Sequence, residues 1–201
     1  MNFSCSKKRK KNEDEESEWD KDGDENVKRV DNCIYFYNEV SRKSILKLAI
    51  TLKEVTKEIQ KNMMDTGGDG KIFLHICSYG GSVYEGLGAM DFVAANPVPV
   101  TTIIEGVACS AATFIALGGK NVLMRPSAHV LIHQISSTFW GKYEDFNDEK
   151  ETLDKLMELL RKMYAKHTEI PKKVLQSMFK RDIYINSDEC IKWGVVKELY
   201  E

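Results

Sequence analysis

From about residue 30 to residue 199 the apolar positions fall into short runs of strand type separated by stretches of helical period. Residues 33–37 (Cys-Ile-Tyr-Phe-Tyr) are a compact run of strand formers. From Ser41 onward Ile45, Leu46, Ala49, Leu52, Val55 and Ile59 recur at spacings of three and four, which predicts a helix with Ser41 or Ser44 as its N-cap. Glycines at 67, 68 and 70 then mark a loop. Residues 71–77 are a second strand, apolar enough to lie buried in a parallel sheet. Strand, helix, loop and strand make a βαβ unit.

The pattern then repeats. Residues 82–95 predict a helix with Val83, Leu87, Met90, Val93 and Ala94 on one side, stopped by Asn96-Pro97. Residues 98–107 are a third strand, and 110–117 a short helix of small residues closed by Gly118-Gly119. Two strands come next, at 121–124 and 129–134. A long amphipathic helix over 144–167 carries Leu153, Leu156, Met157, Leu160, Met163 and Tyr164. Pro171 is suited to the first position of another helix. Ser187, Glu189 and Cys190 predict one more helical turn, and 195–199 a closing strand. The class is α/β, built from successive βαβ units with functional groups at the strand ends.

Composition narrows this picture. A chain of 201 residues suits one folded domain. A formal net charge of -2 offers no electrostatic case for nucleic acid or a membrane surface as partner. Five cysteines, widely spaced and without a C-x-x-C, argue against a disulfide framework and against a metal site. No run is apolar enough to span a membrane or serve as a signal peptide, so a soluble cytoplasmic protein is expected. Residues 1–29 stand apart: Lys7-Lys8-Arg9-Lys10-Lys11 runs directly into an acidic block with almost no apolar residues. Such a segment cannot offset its ordering entropy and reads as a charged flexible tail, with 30–201 as the folded domain.

Three features carry candidate chemistry. Gly80-Gly81 comes directly after a strand, Ser110 opens a helix after a strand, and His133 ends the apolar run V-L-I-H. A nucleophile, a base and backbone amides for an anion are the parts of an acyl-transfer centre. Each also has an ordinary reading. A serine at a helix start is commonly an N-cap, a histidine on a strand is commonly a core group, as His75 reads, and paired glycines commonly make a turn.

The motifs C-S-Y-G-G-S-V (77–83), G-V-A-C-S-A-A (106–112), V-L-I-H-Q (130–134), K-R-D-I-Y-I-N-S-D-E-C (180–190) and W-G-V-V (193–196) resemble the proteolytic subunit of the Clp protease, a serine peptidase family of the ClpP/crotonase fold. The likeness spans residues 30 to 199. It implies repeated βαβ units with a long protruding handle helix, matched here by 144–167. It also implies Ser110 as nucleophile, His133 as general base and Asp182 as the residue orienting the imidazole. Without the resemblance Asp182 reads as a surface carboxylate in a basic loop. By the same likeness the oxyanion donors are the backbone N–H groups of Gly81 and Ala111. Substrate peptide would lie as an added strand along Ser82, Val83, Gln134 and Ile135.

The resemblance further implies unfolded polypeptide as substrate, two stacked heptameric rings of identical subunits, and a Clp-type ATPase that spends ATP, with no metal or other cofactor in the peptidase itself. Departures from the family pattern are Tyr79 for Pro, Cys109 for Ala, Ala111 for Met, Ile135 for Pro, and the charged tail where the family has axial loops that meet the ATPase. Cys109 reads as a buried small hydrophobe, since Ser110 fills the nucleophile's place. Other readings are a catalytically silent ring or scaffold subunit, a phage or viral maturation protease, and a crotonase-type acyl-CoA enzyme. The last has no need of a Ser–His–Asp set.

Overall fold

The computed structural model describes residues 27–66 and 70–201. Most of the segment read as a charged tail, and residues 67–69 of the glycine loop, lie outside the described residues. Strands β1 (Val27–Val30) and β2 (Cys33–Phe36) form an antiparallel hairpin that turns at Asp31. Among the described residues regular structure is present already at Val27, ahead of the boundary that composition suggests. Val27 is buried while its three successors are exposed, so one apolar side chain anchors the strand.

Helix α1 (Arg42–Thr66) starts where expected. Ser41 Oγ accepts the Ser44 amide at 3.3 Å and Ser44 Oγ accepts the Ser41 amide at 3.0 Å, a reciprocal cap in which serine replaces the usual glutamate. Its inner face is Ile45, Leu48, Leu52 and Val55, whereas Leu46, expected inside, is 60% exposed. Next come β3 (Ile72–Ser78), α2 (Val83–Ala94), β4 (Val100–Cys109), α3 (Ala111–Leu117), β5 (Asn121–Met124) and β6 (His129–Leu131). The chain ends with α4 (Tyr143–His167), α5 (Lys172–Met178), β7 (Tyr184–Ile185), α6 (Ser187–Lys192) and β8 (Glu198–Leu199). Pro171 caps α5 from outside rather than opening it.

The sheet order is β1-β2-β3-β4-β5-β8, parallel from β2 onward, and β4 is its branching strand. Thr101–Ile104 pair with β5, but Val107–Cys109 pair with β6, which in turn pairs antiparallel with β7. Between the two halves the register against β3 slips, and Gly106 takes φ +68. An extra stretch of chain at a glycine bends the strand and re-aims the residues beyond it. That bend carries Ser110 away from the main sheet to the end of β6.

The sheet face away from Ile34, Leu74 and Ile104 is polar and interlocked around Glu105. Its carboxylate accepts from Tyr37 Oη, lies 2.9 Å from His75 Nδ1, and accepts from Arg125 Nε at 3.3 Å. Tyr35 stacks on His75 at 4.6 Å, and Arg125 sits 4.6 Å over the Tyr200 ring. His75 is thus a satisfied core group. Burial alone would raise the Glu105 carboxyl, but the Tyr37, His75 and Arg125 hydrogen bonds outweigh it and hold it below its ordinary 4.5. A depressed carboxyl stabilises the fold above its unfolded value, and that contribution is lost as pH falls through the folded value. Glu105→Gln is expected to lower unfolding free energy at pH 7 by about 1–3 kcal/mol. It should also flatten the loss of stability below pH 4.5, as urea titrations across pH would show.

Helix α4 is 25 residues long, and its first buried side chain is Leu156. The N-terminal half stands off the body and is held by local means. The Lys142 amide donates to Asp145 Oδ2 at 3.0 Å, and Lys150–Asp154 and Lys155–Glu151 pair at 2.7 and 2.6 Å. Such fully exposed pairs are screened by solvent and contribute little.

Candidate active site

The ends of β4 and β6 place the main groups. The Ser110 amide donates to Leu131 O at 2.8 Å, locking the end of one strand to the end of its neighbour. His133 lies two residues beyond Leu131. Ser110 has φ 53 and ψ -123 and makes no side-chain capping bond. The N-cap reading therefore fails. A non-glycine residue at positive φ costs on the order of 1–3 kcal/mol and persists only where its surroundings impose it. Here they do. Ser110 O accepts from the Thr113 amide at 3.0 Å and Thr113 Oγ1 at 2.6 Å, and Thr113 Oγ1 is 2.6 Å from the buried Tyr164 hydroxyl on α4. A sharp strand-to-helix turn of this kind presents a serine hydroxyl outward.

Glycines allow the close approach. A Cβ on Gly80, at φ +96, would lie 2.6 Å from Cys109 O and 2.9 Å from Ser110 Cβ. A Cβ on Gly86 would lie 2.6 Å from Ala111 O. The glycine segment is clamped by Val40, whose amide donates to Gly80 O and whose carbonyl accepts from the Ser82 amide, both at 2.7 Å. The Gly80 amide donates to Ser78 Oγ at 3.1 Å. None of these bonds uses the Gly81 N–H. Ala111, the first residue of α3, has its N atom 3.4 Å from the same Gly80 Cβ position.

His133 Nδ1 lies 3.5 Å from Asp182 Oδ1, with the imidazole 25% and the carboxylate 78% exposed. Among the described residues no hydrogen bond joins Ser110 Oγ to His133, and Asp182 meets the imidazole as an ion-pair contact at 3.5 Å. If Asp182 serves to orient His133, Asp182→Asn is expected to lower turnover by roughly 10–100-fold, less than loss of a buried orienting carboxylate would, because water can partly replace so exposed a group. Steady-state assays of the variant check this.

The expected peptide-binding positions differ in what they offer. Ser82 Oγ caps α2 by accepting the Glu85 amide at 3.4 Å, and Val83 packs on the core. Gln134 is exposed, but β6 stops at Leu131, short of the predicted 134. The Ile135 amide donates to Met157 Sδ at 3.4 Å, a weak acceptor.

Tyr184 is a partner that periodicity does not reveal. Cys109, Leu131 and Tyr184 stand in register across β4, β6 and β7, and the Tyr184 hydroxyl reaches across Leu131 to the Cys109 thiol. Burial pushes the Cys109 thiol up, with the Tyr184 hydrogen bond opposing. A buried neutral thiol is a poor nucleophile.

The family model described as Clp protease matches residues 28–201. The chain belongs to the Clp protease family. Among curated proteins it is similar to an ATP-dependent Clp protease proteolytic subunit of Pinus thunbergii, 31% identical over 191 residues, covering 89% of this chain and 93% of the relative. The subunits of Chaetosphaeridium globosum and Zea mays are each 32% identical over 181 residues, 87% of this chain, and cover 88% and 82% of those proteins. The α/β architecture with its β4 branch is accordingly that of a Clp protease subunit. Against the Clp pattern Cys109 and Tyr184 read as a packed pair, not as a second reactive site.

Proposed function

We propose that this chain is an active serine endopeptidase that hydrolyses unfolded polypeptide through an acyl-enzyme. The observation that carries the reading is the imposed positive-φ turn at Ser110, bonded to the strand whose end bears the His133–Asp182 pair. Ser110 Oγ attacks the scissile carbonyl while His133 takes its proton. The oxyanion accepts from the Gly81 and Ala111 amides, and His133 protonates the departing amine. Water then gives a proton to His133 and adds to the ester carbonyl, and His133 returns that proton to Ser110 Oγ as the acid product leaves. Asp182 stabilises the imidazolium throughout. No step calls for a metal or cofactor, and ATP would be spent by a partner unfoldase.

Assembly into two stacked heptameric rings is part of the same proposal. It is supported by the aromatic cluster at the free end of α4, where Trp140, Tyr143 and Phe146 are 97%, 79% and 60% exposed. A Clp-type ATPase is the partner we infer for the ring. No helix among the described residues is long and apolar enough to cross a membrane. We infer a cytoplasmic setting, with the cysteines kept reduced. The test is labelling of the full chain with a fluorophosphonate probe. Labelling of the wild type and of Cys109→Ala but not of Ser110→Ala is expected. Unlabelled wild-type protein in assembled rings would instead favour a silent scaffold subunit.

A further inference from the structure

Beside the His133–Asp182 pair lies a recess of about 340 Å³ lined by Gln134, Met157, Arg161, Gln176, Phe179 and Lys180. Gln134 is the residue directly after the candidate base, and Phe179-Lys180 precede Arg181-Asp182 in the loop that brings the carboxylate. The recess is thus bracketed by the two chain segments that carry the relay. A substrate strand running along Gln134 passes its mouth.

The lining has two kinds of surface. Phe179 is buried and Met157 half-buried, giving an apolar floor. Arg161 and Lys180 are exposed at the rim, and the Arg161 guanidinium stands 5.8 Å over the Phe179 ring. The remaining lining residues are neutral amides, so among the described residues no carboxylate lines the recess. Of the acids nearby, Glu158 pairs with Lys162 at 2.7 Å and also lies within electrostatic reach of Arg161, and Asp182 faces His133. Charge attraction strengthens beside apolar, poorly hydrated surface, and a guanidinium matches a carboxylate with paired donors.

From this lining we infer that the recess receives an acidic substrate side chain, so that the enzyme prefers aspartate or glutamate on the carbonyl side of the scissile bond. The inference rests on the serine-peptidase reading and adds its substrate class. A wide apolar-floored recess accepts the methylenes of glutamate, while the two cations supply what neutral isosteres cannot use. Glutamate and glutamine therefore separate charge from shape.

The experiment compares kcat/KM for fluorogenic peptides that differ only in carrying Glu, Gln or Leu at that position, using the assembled full chain. Glu is expected to exceed Gln by roughly ten-fold at low ionic strength, shrinking as salt screens the rim. In Arg161→Gln/Lys180→Gln the ratio should fall to about one, a readout taken within the variant and so independent of its overall turnover. Peptidyl phosphonates ending in Glu or Gln give the same comparison as labelling rates should the short peptides turn over slowly. A wild-type ratio of one or below overturns the inference, as does a ratio that survives the double variant. Fluorophosphonate labelling of Ser110 without any Glu preference defeats this inference alone. Absence of that labelling defeats the serine-peptidase reading and the preference with it.

Discussion

Ser110→Ala is expected to lower kcat for hydrolysis of an unfolded protein by at least about 10⁴-fold, equivalent to roughly 5.4 kcal/mol of transition-state stabilisation. The fold should hardly notice. Ser110 makes no side-chain cap, and its backbone bonds to Leu131 and Thr113 do not need the hydroxyl. Alanine meets the same strain at φ 53, so the two chains should melt together. Cys109→Ala gives the opposite outcome. Its thiol is buried and its pKa raised, and removing it costs packing against Leu131 and the Tyr184 bond while the chemistry survives. Rates with the two variants side by side check both halves. Retention of activity in Ser110→Ala with loss in Cys109→Ala would move the nucleophile by one residue.

Much of this was legible from periodicity, because α1, α2 and α4 each bury one stripe and β3 and β4 are mostly buried runs rich in strand formers. What periodicity missed was short or non-local. β7 has two residues, one exposed, and leaves no pattern, although its Tyr184 reaches the residue before the candidate nucleophile. Leu48, not Leu46, continues the three-and-four spacing of Ile45, Leu52 and Val55, so here the buried leucine was legible and the wrong one of the two was chosen. The branch of β4 turns on Gly106, whose φ +68 no neighbouring residue announces. At the site, glycine and serine were visible as types, but the imposed turn depends on Tyr164, 54 positions beyond Ser110 and acting through Thr113. Asp182 is the clearest limit. A carboxylate 78% exposed carries no burial signal, and only its place in a family motif singles it out.

Gly81→Ala is expected to be the most damaging substitution outside the triad, because its neighbours are backbone and cannot yield by changing rotamer. A Cβ there, at φ +144, would lie 3.0 Å from both Val40 N and Val40 C and closer still to the carbonyl oxygen. That same Val40 holds Gly80 and Ser82 through bonds of 2.7 Å and is buried. Either the clamp opens or the segment moves outward. The first route loses two buried hydrogen bonds and adds strain, a cost of roughly 2–4 kcal/mol. At about 2–4 °C per kcal/mol for a domain of this size, the melting temperature should fall by roughly 5–15 °C. The second route shifts the Gly81 N–H, and if that amide is an oxyanion donor, as proposed, its loss lowers kcat by about 10²–10³-fold in the molecules that stay folded. Gly88, on the exposed side of α2 with nothing within 4 Å of its Cβ position, is the internal control. There alanine should stabilise the helix by up to about 1 kcal/mol and leave turnover unchanged. Thermal melts and turnover per folded subunit for both variants make the comparison. If Gly81→Ala matched the wild type in both, the segment would be free to relax away from Val40 and the oxyanion donor would have to be sought elsewhere.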